Sequence, residues 1–128
     1  MKIGKWPVAK GFTLIELMVV MAVLAVLAGV VTPIYLDRVE DAREVTLKHN
    51  LTGLRTAIDQ YVRDQGKYPD HLQRLVTKGY IRAVPVDPIT QSSKTWVVVP
   101  PPNDPKAVYD VKSGAKGNGK DGTDYGTW

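Results

Sequence analysis

The chain has 128 residues, contains no cysteine, and carries 17 Lys and Arg against 13 Asp and Glu, which gives a formal net charge of +4. This length suits one small domain, and a chain without cysteine cannot use a disulfide framework. Three of the positive charges are Lys2, Lys5 and Lys10, and the other 14 Lys and Arg nearly balance the 13 acids, so no basic surface predicts nucleic-acid binding.

Residues 12–31 form an apolar segment of twenty residues in which Glu16 is the only charged side chain. A helix of that length spans about 30 Å, which is the thickness of a bilayer's hydrocarbon core. The apolar run is longer than that of a cleaved secretory signal. The sequence therefore predicts one membrane span, and the lysines before it place the N-terminus in the cytoplasm and export the rest of the chain.

Glu16 is the unusual residue of this span. A carboxylate costs roughly 2.5–3.5 kcal/mol near the centre of a bilayer and less near its edge, and Glu16 lies one helical turn after Phe12. One interpretation is a charge tolerated at the membrane edge. The other is a carboxylate whose cationic partner comes from another subunit, because removing one member of a buried pair costs about 3–5 kcal/mol.

The residues around Glu16 also resemble a known signal. Residues 11–16 read Gly-Phe-Thr-Leu-Ile-Glu, after a short basic leader and before an unbroken apolar run. This pattern resembles the prepilin signal of type IV pilins and type II secretion pseudopilins. The resemblance implies that a membrane prepilin peptidase cuts between Gly11 and Phe12, that the new amino group of Phe12 is methylated, and that Glu16 of one subunit pairs with the Phe12 ammonium of the next in a helical filament.

The same resemblance divides the chain into three parts. The first is a leader peptide, the second a transmembrane helix that becomes the filament core, and the third a periplasmic globular domain that includes the second half of the long helix. These parts are predicted at residues 1–11, 12–33 and 34–128.

Beyond the span, apolar residues recur at spacings of four, three, four and three, which is typical of an amphipathic helix with one buried face. We therefore predict one long helix from Phe12 to Gln65, ended by Gly66. Pro33 is expected to kink it, because proline removes a backbone hydrogen bond. The charged residues are predicted to form a solvated face. The apolar face consists of Leu47, Leu51, Leu54, Ile58 and Tyr61.

The rest of the chain predicts smaller elements, and together with the long helix they give an α+β fold. Asp70 is the predicted N-cap of a short helix over residues 71–78, and Gly79 closes it. Residues 96–99 and 107–111 are rich in β-branched and aromatic side chains, and prolines interrupt the chain between them. We predict two antiparallel strands that pack on the long helix, because two strands alone are marginally stable.

Several later motifs are similar to those of the major, G-type pseudopilins: Gly-x-Tyr-Pro at 66–69, Pro-x-Asp-Pro at 85–88 and the terminal Trp. That resemblance implies a calcium ion in the C-terminal loop, where Ca²⁺ takes six to eight oxygen ligands. Asp124 matches a family acid, and Asp121 and Asn118 are nearby donors. Lys116 stands where the family commonly has an acid. Two alternatives therefore stay open, a calcium site and a metal-free loop held by Trp128.

Catalytic patterns are missing from the sequence. His49 and His71 are far apart and have no second ligand at metal-binding spacing, and neither a phosphate-binding loop nor a nucleophile elbow occurs. The sequence therefore predicts a structural protein rather than an enzyme, and the resemblance implies that this protein is the major pseudopilin of a type II secretion system. The partners that the resemblance implies are copies of itself, minor pseudopilins, the prepilin peptidase, an assembly ATPase and an inner-membrane platform protein.

Two other functions remain as alternatives. A major type IV pilin, acting in adhesion, twitching or DNA uptake, shares the N-terminal motif. A signal-anchored periplasmic binding module explains the span equally well, and in that case Trp96, Tyr109 and Trp128 form a ligand platform.

Overall fold

The computed structural model describes residues 11–128, so the predicted leader lies outside the described residues except for Gly11. The elements confirm the predicted α+β fold. The chain forms two compact units that divide after Arg38. In chain order the elements are α1 (Leu14–Gln65), α2 (Leu72–Thr77), β1 (Val97–Val99), β2 (Asp110–Lys112) and a final 3₁₀ turn (Tyr125–Thr127).

The first unit holds the apolar part of α1. The large apolar side chains from Phe12 to Leu36 are between 49% and 78% exposed. An 18-residue window of the helix has a mean hydropathy of 2.8, and none of it is buried. By length and composition the helix is able to cross a membrane. Its apolar surface is uncovered, so it needs lipid or other protein around it.

The region around Pro33 lies inside one uninterrupted helix. Because Pro33 has no N–H, the carbonyl of Gly29 lacks its usual partner four residues later. The preceding residue supplies a different bond: Thr32 Oγ1 donates to the carbonyl of Ala28 at 2.7 Å. Hydroxyl groups that bond back in this way often bend helices, and the kink expected at Pro33 stays a prediction.

The second unit is built on the amphipathic part of α1. All five residues of the predicted apolar face are at most 3% exposed, which confirms that face. They divide between two hydrophobic clusters. The cluster nearer the start of the unit also contains Trp96, Val111, Ala115 and Tyr125, and the other contains Leu75 and Val108. Gly66, with φ of +74°, follows the last residue of α1 as predicted.

The short helix α2 differs from its prediction at the N-terminus. Its N-cap is His71, whose Nδ1 accepts from the backbone N–H of Arg74 at 3.0 Å. Asp70 instead binds the Arg74 side chain through two contacts of 3.2 Å. The prediction of Asp70 as the cap was therefore wrong, because the imidazole of the next residue occupies the capping position. Leu75 is fully buried against α1, as expected of the apolar face.

The strands confirm an antiparallel pair, with Val98 opposite Val111, but the second strand is shorter than predicted. Residues 107–109 lie outside it. The amide of Val108 donates to the carbonyl of Pro69 at 2.7 Å, in the turn after α1. Val108 therefore anchors that turn instead of extending the sheet. Arg55 ties β2 to α1, because its Nε lies 2.8 Å from Asp110 Oδ1.

The Pro-x-Asp-Pro step at residues 85–88 is a packed loop. Asp87 is fully buried. Its Oδ1 accepts from the N–H of Ile89 at 2.8 Å, and its Oδ2 accepts from the hydroxyl of Ser113 at 2.5 Å. Trp96 Nε1 donates to the carbonyl of Pro85 at 2.8 Å. These bonds join the loop both to Trp96, the residue before β1, and to Ser113, the first residue of the C-terminal loop.

Candidate functional site

The first candidate site is the start of α1, where the sequence predicts processing and assembly. Gly11 and Phe12 precede the helix, and the Phe12 side chain is 78% exposed. Thr13 and Glu16 bond reciprocally. Thr13 Oγ1 accepts from the N–H of Glu16 at 3.2 Å, and Glu16 Oε2 accepts from the N–H of Thr13 at 3.3 Å. This is a capping box, which satisfies two backbone donors that a helix start leaves unpaired.

Glu16 therefore has a local role that the sequence analysis missed. The signal was present, because Thr-x-x-Glu before an apolar run is the pattern of a capping box. The bond to Thr13 is long, and the Glu16 side chain is exposed. A carboxylate has about four lone-pair sites, so this one bond leaves it able to accept from a further donor. The Glu16 carboxylate is therefore held at the helix start and still has lone pairs that could bind a cation.

The second candidate site is the C-terminal loop, residues 113–128. The structure brings Asn118 and Asp124 together as partners in an isolated antiparallel bridge. Asp121 Oδ1 accepts from both the N–H and the hydroxyl of Thr123, at 3.0 and 2.6 Å, and these bonds lower the pKa of the Asp121 carboxyl. Asp124 Oδ1 accepts from the N–H of Gly126 at 2.8 Å and caps the final 3₁₀ turn.

Charged residues of α1 hold this loop in place. Glu44 Oε1 accepts from the backbone N–H of Lys120 at 2.9 Å and from the hydroxyl of Tyr125 at 3.2 Å. Lys120 Nζ lies 2.6 Å from Asp41 Oδ1. The prediction that the charged residues of α1 face only solvent is therefore wrong at Asp41 and Glu44, because these carboxylates bind the C-terminal loop.

Trp128 docks at the end of the loop, as the sequence predicts of a terminal aromatic side chain. Its ring meets Tyr125 edge to face, with centroids 5.0 Å apart. Its Nε1 donates to Thr123 Oγ1 at 2.6 Å, and Lys48 Nζ lies 4.5 Å from the ring centroid. A Cβ on Gly119 would collide with the indole, so the loop needs glycine there.

The three aromatic residues proposed as a ligand platform have different surroundings. Trp96 is buried in the core. Tyr109 is half exposed and meets Tyr68 edge to face. Trp128 packs on Tyr125 and Thr123 in the loop. Packing within the fold explains all three side chains, so none of them requires a ligand.

Comparison with known proteins identifies the family. Residues 6–32 match the prokaryotic N-terminal methylation motif. The type II secretion system core protein G of Pseudomonas aeruginosa is 31% identical, with 92% of this chain and 94% of that protein covered. The chain belongs to the core protein G family. The protein of the same name from Vibrio cholerae is 33% identical over 92% of this chain and 90% of its own length. No solved structure matches.

The C-terminal loop is where the sequence resemblance implies a calcium ion. Within residues 11–128, no group of three or more Asp, Glu, His or Cys side chains is placed to hold a metal ion. Asp121 and Asp124 each use one oxygen for turns of the loop itself. Lys116 and Lys120 add positive charge to the same segment. This donor set does not fit an ion that takes six to eight oxygens, and calcium binding stays a prediction.

Proposed function

We propose that this chain is the major structural subunit of a type II secretion pseudopilus and that it catalyses no reaction itself. The likeness to core protein G proteins over about nine-tenths of both chains supports this role. Processed subunits leave the inner membrane and join a helical filament, driven by an assembly ATPase and a membrane platform protein. Minor pseudopilins accompany them, and the filament helps to move exported proteins through the outer membrane.

The observation that carries this proposal is the uncovered apolar surface of the first unit. Large apolar side chains are exposed from Phe12 to Leu36, and Glu16 is the only charge from Phe12 to Leu36. In the inner membrane, lipid covers this surface. In the filament, the same surface of neighbouring subunits replaces the lipid, and the second units form the outside. The lysines of the leader keep the N-terminus in the cytoplasm and place the second unit in the periplasm.

The start of α1 supplies the recognition between subunits. Cleavage after Gly11 turns the amide nitrogen of Phe12 into an ammonium group, and methylation preserves its charge. Thr13 keeps its own amide, so the capping box with Glu16 survives processing. The Glu16 carboxylate then forms an ion pair with the Phe12 ammonium of a neighbouring subunit. A charge pair in an apolar core is stable only when both partners are present, so an unprocessed subunit cannot replace a processed one.

The test is overexpression, followed by electron microscopy of material sheared from the cell surface and by mass spectrometry of the N-terminus. Wild-type filaments should contain chains that begin at a methylated Phe12. Glu16→Ala and Glu16→Gln should reduce assembly at least about a hundredfold, since each strands the ammonium of Phe12. Asp59→Ala is the control, because it removes an exposed carboxylate outside the span.

Two outcomes would contradict the proposal. One is filament formation by Glu16→Ala at the wild-type level. The other is a mature chain that retains Lys10 and Gly11, which indicates a plain membrane anchor.

A further inference from the structure

We propose that the C-terminal loop of this chain is locked onto α1 by the protein's own charges, so that the second unit folds without a divalent cation. The lock consists of Glu44 and of the ion pair between Asp41 and Lys120. This inference goes beyond the pseudopilus role and concerns the stability of the subunit. It departs from the calcium site that the family resemblance implies for the same loop.

Glu44 is the centre of the lock. One oxygen of its carboxylate receives two donors from different parts of the loop, the backbone N–H of Lys120 and the hydroxyl of Tyr125. The Tyr125 ring is buried. Burial and the neighbouring Glu44 raise the pKa of Tyr125, which keeps its hydroxyl protonated as a donor. Charge-assisted bonds of this kind are about twice as strong as neutral ones.

Lys120 brings a positive charge to the carboxylates of α1. Its Nζ lies 2.6 Å from Asp41 Oδ1, and its backbone N–H binds Glu44. A metal ion in such a loop would join chain segments by attracting carboxylates and carbonyls to one positive centre. Here the ammonium group attracts a carboxylate of the helix, and the loop is fastened to α1 by the same electrostatic principle.

The interior of the loop is closed by its own hydrogen bonds. The N–H of Gly119 donates to the carbonyl of Thr123 at 2.8 Å, and the N–H of Tyr125 donates to the carbonyl of Gly117 at 3.1 Å. The carbonyl groups of Gly117 and Thr123 thus already accept hydrogen bonds from within the loop. Lys116, which stands where the resemblance implies an acid, is exposed and makes no ion pair or hydrogen bond within the described part of the chain.

The first experiment measures the thermal unfolding of the full chain in detergent micelles by near-ultraviolet circular dichroism, with 10 mM calcium and with a chelator. A calcium site with a Kd of about 1 mM would raise the Tm by about 5 °C or more at that concentration. We expect a shift below about 1 °C. A calcium-dependent increase of about 5 °C would overturn the proposal.

The second experiment tests the charges. Lys120→Met should lower the Tm by about 2–5 °C, and Glu44→Gln should lower it by about 5 °C or more because it weakens two bonds at once. Lys116→Met is the matched control, an exposed lysine of the same loop, and should change the Tm by less than about 1 °C. Equal effects of Lys120→Met and Lys116→Met would contradict the lock.

Discussion

The carboxylates of Glu16 in the first unit and Asp87 in the second differ in burial and in hydrogen-bond partners. Asp87 is fully buried, and its two oxygens accept from Ile89 and Ser113 of its own unit. Glu16 is exposed, and within the described residues it accepts only from Thr13. The hydrogen-bond donors to the buried Asp87 therefore come from the second unit itself. The first unit has an exposed carboxylate and an exposed apolar surface, and we propose that a neighbouring subunit pairs with the carboxylate.

The apolar side chains follow the same division. In the second unit they pack in two clusters around α1, and the loop charges are paired with the helix. In the first unit the large apolar residues remain exposed. Folding and assembly are therefore separable properties of this chain, and substitutions in the two units should affect different measurements.

The largest effect on folding is expected at Asp87. Asp87→Ala removes the acceptor for the hydroxyl of Ser113 and the N–H of Ile89, and buried donors without partners cost about 1–3 kcal/mol each. We expect the free energy of unfolding to fall by about 3 kcal/mol, and the Tm of the full chain in micelles to fall by more than about 10 °C. Membrane insertion, measured by fractionation, should stay unchanged, because the first unit is untouched.

Asp59→Ala is the matched control for this experiment, since it removes an exposed carboxylate that lies on the same helix as the core residues. It should change the free energy of unfolding by less than about 0.5 kcal/mol. A similar Tm for Asp87→Ala and Asp59→Ala would mean that the hydrogen bonds of Asp87 contribute little to stability. The contrast between Asp87 and Glu16 would then fail.

A smaller effect is expected at Thr13 in the first unit. Thr13→Val keeps the shape of the side chain but removes the hydroxyl that accepts from the N–H of Glu16, at a cost of about 1 kcal/mol. The Glu16 amide should exchange its hydrogen about fivefold faster in micelles, while the Tm of the second unit stays constant. Thr13→Ser keeps the hydroxyl and should exchange at the wild-type rate. Equal exchange rates in Thr13→Val and wild type would exclude the capping box.

The regular elements were predictable because their patterns are local. The apolar face of α1 follows from the spacing of Leu47, Leu51 and Leu54, and Gly66 marks the end of the helix because a left-handed residue there favours glycine. The capping box of Thr13 and Glu16 was equally local. Its pattern was present in the sequence but was interpreted only as part of the processing signal.

The contacts that hold the C-terminal loop on α1 were not predictable in the same way. Glu44 reaches Lys120 and Tyr125 across more than seventy residues of sequence, and no local pattern indicates such a contact. Its spacing from Lys48 instead predicts an ordinary helical ion pair. The role of Asp87 was hidden for the same reason, because its partner Ser113 is supplied by a distant segment.

The smallest effect is expected from protonation of Asp121, the exposed carboxylate of the loop. The side-chain and backbone bonds from Thr123 hold the pKa of Asp121 below its ordinary value. The stabilisation is therefore complete above the unfolded pKa of about 4 and is lost as the pH falls through the folded pKa. A carbon NMR titration should show a lowered pKa in the wild type, a higher one in Thr123→Val, and a lowered one in Thr123→Ser, which keeps the hydroxyl. If Thr123→Val leaves the pKa of Asp121 unchanged, the hydroxyl contact is not formed, and Asp121 stays available to an outside cation, as Glu16 does in the first unit.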